Sequence, residues 1–257
     1  MKLICWNMAG AFGYERDRHA RAWQWLNEQD ADVALLQEVV PHPEEMGAWG
    51  SLIFRGKYKQ HGCAVLVKAG GYRAWEPTDQ EPWLKRVGGA AAIARPEQES
   101  GFWFISVHSD AASFEHINRD YPKSYADLPP REQIPRCSPS EMWEIEPIAA
   151  ELRPVLNGSR FILGGDLNSA RMFDTGDSGE NARLFDNLRA QGYIDTRPRH
   201  SSEEVQTFFK KGTRPLQLDH VFADDLTEAS VVSWRVLREA PELLELSDHA
   251  PIEVVIA

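Results

Sequence analysis

The sequence of 257 residues is poor in cysteine and has no long apolar run. Its three cysteines, Cys5, Cys63 and Cys137, lie far apart and form neither a CxxC pair nor a Cys/His zinc spacing. An odd cysteine count favours free thiols in a reducing compartment, so we expect a cytoplasmic protein. The apolar start, Leu3–Trp6, is too short for a signal peptide or a membrane span, and we expect no membrane association.

Positive charge is also scarce: the chain has 28 Lys and Arg residues and 39 Asp and Glu residues, which gives a formal net charge of -11. This balance argues against a protein whose whole surface coats nucleic acid. It leaves room for a local basic groove and for carboxylates that hold a hard cation. The composition, 42% hydrophobic and 26% charged, is that of a globular domain with a sizeable core.

Short apolar runs separated by turn residues predict many strands. Three stretches indicate helices: Glu15–Glu28, Glu180–Gln191, and a helix that opens at a capping-box sequence at Ser138 and runs to about Leu156. Strands with interspersed helices predict an α/β protein, which we interpret as a single domain over residues 1–257. The predicted strands are Lys2–Trp6, Val33–Gln37, Cys63–Lys68, Val87–Ala94, Phe102–Val107, Arg160–Leu163, Leu216–Phe222, Ala229–Val236 and Ile252–Ile256.

The stretch Ser109–Cys137 has no periodicity and is rich in proline. A loop this long inside a compact domain is usually functional or disordered. Because it follows His108 directly, we interpret it as an insertion at about 109–137 that lies over or beside a site. Its aromatic residues Phe114, Tyr121 and Tyr125 could stack on a base or contact an apolar group, so we predict that it determines specificity.

Polar side chains that can carry chemistry occur where six of the apolar runs begin or end. Active sites of layered α/β proteins collect at such strand ends. Each side chain alone has a structural explanation, such as a turn cap, a solvated strand end or a core histidine, but together they are what a phosphoester site requires. They are Asn7, Glu38, His108, Asp166 with Asn168, Asp219, and Asp248 with His249.

Three of these residues offer oxygen ligands for a hard cation. Glu38 and Asp248 supply carboxylates and Asn7 supplies an amide oxygen. A small set of such ligands, completed by water, suits Mg²⁺ or Mn²⁺. The sequence therefore predicts a divalent-metal site.

Four other residues suit the activation of water and the stabilisation of charge. Asp166 with Asn168 two residues later can orient and deprotonate a water. Asp219 could hold the His249 imidazole, fix its tautomer and raise its basicity. A charged imidazole at that position would stabilise negative charge on a phosphate.

Seven motifs in this order resemble the endonuclease/exonuclease/phosphatase superfamily of deoxyribonuclease I, the abasic-site endonucleases, sphingomyelinases and inositol polyphosphate 5-phosphatases. The resemblance covers the chain from Asn7 to Ile252. It implies a four-layer α/β sandwich, two stacked mixed β-sheets flanked by helices. The motifs are "CWNMAG", "LLQEV", "SVHSD", "GGDLNS", "TFF", "LDHVF" and "LSDHAPI".

The resemblance also implies roles for the metal and water residues. Glu38 resembles the family's principal metal-ligating glutamate, assisted by Asn7 and by Asp248. Asp166 and Asn168 resemble the pair that positions and activates the attacking water. These roles imply hydrolysis that depends on Mg²⁺ or Mn²⁺.

The two histidines correspond to the phosphate side of the family's site. His249 is similar to the histidine that contacts the scissile phosphate, and Asp219 to its partner aspartate. His108 matches the histidine of the deoxyribonuclease and phosphatase branches, whereas the abasic-endonuclease branch usually has a tyrosine. That departure argues against an abasic-site activity.

A local basic stretch near the C-terminal third could bind substrate. If it borders the site it would attract a phosphate backbone or a polyphosphate, and otherwise it is a solvated loop. Thr207 within it either packs or contacts a phosphate, and His61 elsewhere is interpreted as a surface or substrate-rim residue. The basic residues are Arg197, Arg199, Lys210, Lys211 and Arg214.

The sequence thus predicts a metal-dependent phosphoesterase, a nuclease or phosphodiesterase acting on DNA or RNA. The alternative is a phosphatase or phosphodiesterase for a small-molecule or lipid phosphate. A non-catalytic binding module on the same fold is a third hypothesis, which the complete set of site residues disfavours. We expect a phosphoester substrate as the partner and no obligate protein partner.

Overall fold

Two six-stranded mixed β-sheets flanked by helices form the fold, as the sequence predicts. The computed structural model describes residues 1–257 except 11–14, 58–60, 118–122, 124, 175–178, 202, 211 and 239–242. The strands are β1 Lys2–Asn7, β2 Val33–Val39, β3 Ser51–Gly56, β4 Gly62–Val67, β5 Tyr72–Ala74, β6 Ala91–Pro96, β7 Trp103–His108, β8 Phe161–Asp166, β9 Ile194–Asp195, β10 Asp219–Ala223, β11 Val231–Val236 and β12 Ile252–Ile256.

Helices cover the two sheets and connect their strands. Among the described residues, none of them is long and apolar enough to cross a membrane. The α-helices are Arg16–Glu28, Pro43–Met46, Pro82–Arg86, Phe114–Ile117, Ile145–Val155, Glu180–Ala190, Asp225–Ala229 and Leu243–Leu246, with 3₁₀ turns at Gly88–Ala90, Arg131–Gln133 and Arg171–Phe173.

Each sheet has one parallel pair of strands at its centre. The first sheet has the order β11-β12-β1-β2-β4-β3 and the second β5-β6-β7-β8-β10-β9. In the first sheet β1 and β2 are parallel, and in the second β7 and β8 are parallel, while the other neighbours are antiparallel. The carboxyl ends of each parallel pair therefore lie side by side at one edge of their sheet.

The central strands are mostly apolar up to their carboxyl ends because both of their faces are covered. Strands β2, β4, β7 and β8 are buried at every residue. Side chains such as Leu35, Val65 and Phe104 fill the space between the sheets, and a second cluster that includes Ile105, Ile148 and Phe161 packs under the helices. Strands buried on both faces are continuous apolar runs rather than alternating ones, which is why the sequence reveals them.

The helix expected from Ser138 begins instead at Ile145. The capping-box prediction is wrong because a buried carboxylate ties the preceding segment into a loop. Glu146 accepts hydrogen bonds from the backbone N–H groups of Cys137 (2.6 Å) and Trp143 (2.9 Å). Because the Glu146 carboxylate in the first helical turn binds these two N–H groups, the chain turns back before Ile145 and residues 138–144 are not helical.

The sequence patterns do not predict three of the strands, and three predicted strands begin late. Strand β10 begins at Asp219 rather than Leu216, and β11 begins at Val231 rather than Ala229. Strands β3, β5 and β9 lie near or at sheet edges and are only partly buried, so their apolar alternation is weak. The run Val87–Ala94 starts with a 3₁₀ turn at Gly88–Ala90, and strand β6 begins at Ala91. Partial burial removes the signal that identifies the central strands.

In the part of the segment 109–137 that the structure describes, aromatic residues pack against the core. Phe114 is buried, and its ring contacts Trp83 at 6.1 Å and Tyr125 at 5.2 Å between centroids. Tyr125 in turn stacks on Trp83 at 5.7 Å. Phe114 is therefore a core residue, which contradicts the prediction that its ring stacks on substrate. Tyr125 is half-buried, so a substrate contact of its ring stays a prediction, and Tyr121 lies outside the described residues.

Candidate active site

The strand register brings the predicted residues of both sheets together. Asn7 at the end of β1 pairs with Gln37, one residue before the predicted metal ligand. In the second sheet His108 pairs with Asp166, and Asp166 pairs on its other side with Asp219. Five strands thus place polar side chains at adjoining sheet edges.

The turn before β12 adds the last residues of the site. The Ser247 hydroxyl donates to the Asn7 carbonyl (2.7 Å) and accepts from the backbone N–H of His249 (3.0 Å). The Trp6 indole N–H donates to the His249 carbonyl at 2.9 Å. The sequence Ser-Asp-His at the entry of the last strand therefore fixes an imidazole against the end of the first strand.

An irregularity in β2 directs the Glu38 side chain into the site. The pairing with β4 shifts register between Leu36 and Val39, and Glu38 has a left-handed φ of 47°. Such bulges re-aim side chains next to active sites. The Gly10 N–H donates to the Glu38 carbonyl at 2.9 Å, and a Cβ on Gly10 would lie 2.1 Å from that oxygen. Glycine is therefore required at position 10.

Glu38, His108 and Asp166 form a buried cluster that could hold a divalent cation, because their candidate ligand atoms all lie within 4.8 Å of one another. His108 Nε2 lies 3.6 Å from Glu38 Oε1 and 3.9 Å from Asp166 Oδ2. The Asn7 amide N–H₂ donates to the same two oxygens, at 3.2 and 2.9 Å. The two carboxylates suit Mg²⁺ or Mn²⁺, and the imidazole adds a donor that first-row transition metals accept.

The cluster differs in part from the ligands that the sequence predicts. Glu38 belongs to it, but the Asn7 amide oxygen accepts from the Ala9 N–H at 2.9 Å and its nitrogen faces the carboxylates. Ligation by Asn7 would require its amide to turn over. Asp248 is exposed and lies on the wall of the same cleft. Asn7 and Asp248 therefore remain predicted ligands, beside a cluster that contains Glu38.

A second set of charges lies on the other side of Asp166. His249 Nδ1 is 2.8 Å from Asp219 Oδ2, the partnership expected from the sequence, and its Nε2 is 3.7 Å from Asp166 Oδ2. Burial opposes the charge on this imidazole, but Asp219 and Asp166 outweigh it and raise the pKa of His249 to about 10. Burial raises the pKa of Asp166 to about 7 despite the attraction of His249. His249 is therefore an imidazolium, and the carboxyl of Asp166 beside it titrates near neutrality.

The other imidazole at the site has the opposite character. Burial, together with Lys57 and His249, holds the pKa of His108 well below its usual value. His108 is thus neutral at physiological pH, with a lone pair available to a cation or a hydrogen-bond donor. The two histidines are electrostatically distinct although both line one cleft.

Asn168 is held beside Asp166 by its backbone and its side chain. Its N–H donates to Asp166 Oδ1 at 2.8 Å, its amide nitrogen donates to the Ser109 carbonyl at 2.9 Å, and its φ of 50° is left-handed. The "GDLN" turn therefore fixes the carboxylate and the amide in one geometry. Such fixed geometry suits a pair that orients water.

A cleft of about 960 Å³ is lined by Glu38, His108, Asp166, Asn168, Asp248 and His249. The sequence did not assign Arg18, Asp110 or Phe208 to it, although all three contribute to its wall, and His61, interpreted as a surface or rim residue, lines it as well. Arg18 donates to the Ala9 carbonyl at 2.8 Å, and the Phe208 ring packs 4.9 Å from the His249 ring. Phe208 lies in the "TFF" motif and Asp110 in the "SVHSD" motif, whereas Arg18 lies in no motif.

Two predicted substrate-binding residues have structural roles instead. Arg197 is buried, with 6% exposure, and donates to the carbonyls of Ser201 (2.7 Å) and Glu203 (2.8 Å). Thr207 is fully buried, and its hydroxyl accepts from the backbone N–H of Asp219 at 3.1 Å. Both residues are therefore used in holding the loop, and Thr207 helps to place Asp219.

Of the other basic residues in this stretch, one borders the cleft and two have contacts elsewhere. Lys210 is exposed and lines the cleft. Arg214 is exposed, with its guanidinium 5.3 Å from the Phe173 ring centroid. Arg199 pairs with Glu228 at 2.8 Å, and Lys211 lies outside the described residues. Lys210 is thus the described member of the stretch that borders the site.

This site and fold define the class of the protein. The chain belongs to the endonuclease/exonuclease/phosphatase family, which matches residues 4–249 and confirms the resemblance in the sequence. No curated protein matches the sequence significantly.

Solved structures share the fold at low sequence identity. An AP endonuclease from Archaeoglobus fulgidus has a TM-score of 0.72 at 15% identity, with 100% of this chain and 99% of that chain covered. A 3' phosphatase, NExo from Neisseria, bound to a product DNA hairpin, has a TM-score of 0.71 at 18% identity, with the same coverage. The catalytic domain of APE2 from Xenopus laevis has a TM-score of 0.67 at 17% identity and is covered to 91%, with 100% of this chain.

Proposed function

We propose that this protein is a divalent-metal-dependent nuclease that hydrolyses phosphodiester bonds of DNA or RNA. The observation that carries the proposal is the position of Asp166, whose Oδ2 lies within 3.9 Å of Nε2 of both His108 and His249. One carboxylate thus joins a neutral imidazole and Glu38 on one side to an imidazolium on the other. Family membership supports phosphoester chemistry, and a solved neighbour with bound DNA supports a nucleic-acid substrate.

Glu38 is the residue most suited to hold a cation, with His108 and Asp166 at ligand spacing and Asp248 on the cleft wall. Bound there, a divalent ion would act as a Lewis acid that polarises a phosphoryl oxygen. The protein's own contribution is to fix these donors, and Asn7 does so by hydrogen bonding to both carboxylates.

Asp166 and Asn168 would orient the attacking water, and Asp166 would accept its proton. Burial raises the pKa of Asp166, which makes its carboxylate a stronger base than an exposed one. The new bond joins the water oxygen to phosphorus, and the bond between phosphorus and the leaving oxygen breaks.

The His249 imidazolium would stabilise charge on the phosphate during attack. Asp219 keeps that imidazole charged and oriented, at 2.8 Å from its Nδ1, so Nε2 carries a proton that can be donated toward a phosphate oxygen. Fixed donors aimed at developing negative charge are worth several kcal/mol, about 10²–10³ in rate for one donor.

A phosphatase is the second candidate, because attack on a terminal phosphate uses the same groups. The observation that favours it is the fold shared with the Neisseria 3' phosphatase bound to a DNA hairpin. A small-molecule or lipid phosphate remains the broader alternative within this class.

A cleavage assay in Mg²⁺ and in Mn²⁺, each with an EDTA control, tests the proposal. The substrates are single- and double-stranded DNA, DNA with an abasic site, RNA, DNA with a 3' phosphate, and a generic phosphodiester and phosphomonoester. We expect metal-dependent polynucleotide cleavage that drops by at least about 10³-fold in Asp166→Asn, since the base is removed while the side-chain shape is kept.

Asp79→Asn is the matched control, because Asp79 has 94% side-chain exposure and lies outside the cleft. It should keep activity within about two-fold. Turnover of the terminal phosphate alone would replace the nuclease by the phosphatase candidate. Full activity in Asp166→Asn would refute the site assignment.

A further inference from the structure

A buried lysine lies directly behind the cleft. Lys57 follows β3, and its side chain is 7% exposed. Its ammonium donates to the His108 carbonyl at 2.8 Å and to Glu144 Oε2 at 2.7 Å, and it lies 2.8 Å from Asp110 Oδ1. A buried ammonium is costly to desolvate unless its donors are all paired, so this set of contacts indicates a built cluster.

The contacts of Lys57 join three separate parts of the cleft wall. Its backbone N–H donates to the His61 carbonyl at 3.1 Å and closes the connection between β3 and β4. Its side chain holds the end of β7 at His108 and the start of the 109–137 segment at Asp110. His61, His108 and Asp110 all line the cleft. Lys57 thus reaches the site through three neighbours that line it.

The Asp110 and Glu144 carboxylates lie close together with the Lys57 ammonium between them, so removal of the ammonium should displace them. Glu144 Oε2 also accepts from the Asp110 N–H at 2.9 Å, so two carboxylates converge on one ammonium. Burial raises the pKa of Glu144, although Lys57 opposes that change. Without the ammonium, Asp110 and Glu144 would repel each other and the His108 carbonyl would lose its donor. The wall of the cleft would then shift at His108 and Asp110.

We infer that the Lys57 side chain positions groups for phosphoester cleavage, holding His108 and Asp110 in the geometry that the reaction requires. The inference rests on the proposed function. It assigns a role to a sequence position that no motif marks, because the lysine side chain acts through a backbone carbonyl and carboxylates of residues distant in sequence. Misplacement of reacting groups by about 1 Å can cost about 10²-fold in rate.

The test compares Lys57→Met with Lys68→Met, which removes an exposed lysine whose side-chain partner is Asp30. Both changes delete one ammonium and keep an unbranched chain of similar length. With the preferred substrate, we expect Lys57→Met to lower kcat by about 10- to 100-fold and to change KM by less than about three-fold. Lys57→Arg should recover part of the loss, since a guanidinium can still donate to Glu144 and Asp110.

A structural role alone would give a different result. It would lower Tm in Lys57→Met while kcat per folded molecule at a temperature well below Tm stayed within about two-fold of the wild type. That result would overturn the inference. Should Lys57→Met fail to fold, Asp110→Asn serves in its place, because it keeps the side-chain shape and removes one contact of the ammonium; kcat should still fall with KM unchanged.

A readout that does not depend on turnover separates this inference from the proposed function. The ring resonances of His108 in a ¹H–¹⁵N spectrum should shift in Lys57→Met and stay in place in Lys68→Met. If the wild type cleaves no phosphoester, the proposed function fails, and the His108 resonances still decide whether Lys57 positions this imidazole. Unchanged resonances in Lys57→Met would refute the positioning role whatever the activity.

Discussion

Substitution of Gly10 by alanine should disable the site although residue 10 touches no substrate group. The Gly10 N–H donates to the Glu38 carbonyl at 2.9 Å, and this contact supports the left-handed backbone that aims the Glu38 carboxylate. An alanine Cβ would lie 2.1 Å from the same carbonyl oxygen and 3.3 Å from Val40 Cγ2. The methyl group would therefore collide with backbone rather than with a side chain that can rotate away.

The size of the effect follows from that distance. Ordinary contacts begin at 3.4 Å, so the two atoms must separate by about 1 Å, and the Glu38 peptide must move with them. A displacement of that size at a catalytic group costs about 10²-fold in kcat/KM, and forced overpacking costs about 1–3 kcal/mol of stability. Metal affinity should fall as well, because Glu38 is the central carboxylate of the cluster.

Gly47→Ala is the matched control for this prediction. Gly47 ends the helix Pro43–Met46 with an ordinary φ of -63°, and a Cβ there would meet nothing within 4 Å. The assay is kcat/KM for both variants together with Mn²⁺ affinity by calorimetry and Tm. Equal kcat/KM and equal Mn²⁺ affinity in the two variants would refute the argument that Gly10 holds Glu38 in place.

Two further predictions concern charge. Because the folded pKa of His249 is raised from 6.5 to about 10, the folded state binds more protons between these values, and the free energy of unfolding of the metal-free protein should fall as pH rises from 7 to 9.5. Urea unfolding in EDTA measures this slope, which should be smaller in Asp219→Asn; an equal slope would contradict the pairing. Lys210→Glu should weaken polynucleotide binding and reduce its salt dependence by about one counterion, with kcat little changed. Lys85→Glu, at an exposed lysine away from the cleft, is its control, and identical salt slopes would remove Lys210 from the interface.

The sequence reveals the central strands and the polar residues at their ends for one physical reason. Strands buried on both faces are continuous apolar runs, so the first polar residue marks the edge of the sheet. Parallel pairing then aligns the ends, as His108 with Asp166 shows. The candidate site is predictable to the extent that it is built from strand termini.

The remaining parts of the site depend on tertiary contacts that no local pattern encodes. Arg18 comes from a helix and Lys57 from the end of a partly buried strand, and neither lies beside a motif. Arg197 is the opposite case. The basic stretch predicted that it binds substrate, but its guanidinium donates to carbonyls of its own loop. Composition indicates that charge is present, whereas only the packed structure shows what it faces.

The 109–137 segment illustrates a further limit of sequence patterns. Its aromatic residues suggested substrate contacts because nothing local explained them, but Phe114 and Tyr125 pack on Trp83 of a distant helix. Among the residues of this segment that the structure describes, Asp110 and Ala111 line the cleft. An aromatic side chain without periodicity can thus belong to the core when its partner is remote in sequence.

The most direct test of the account is the fate of the attacking oxygen. Cleavage of the preferred polynucleotide in water enriched in ¹⁸O, with Mg²⁺ or Mn²⁺ present, should place one labelled oxygen on the phosphate of the product, as mass spectrometry of the termini would show. That result is required if a water activated by Asp166 attacks phosphorus. A product phosphate without label, or no cleavage of any phosphoester in either metal, would contradict the central claim.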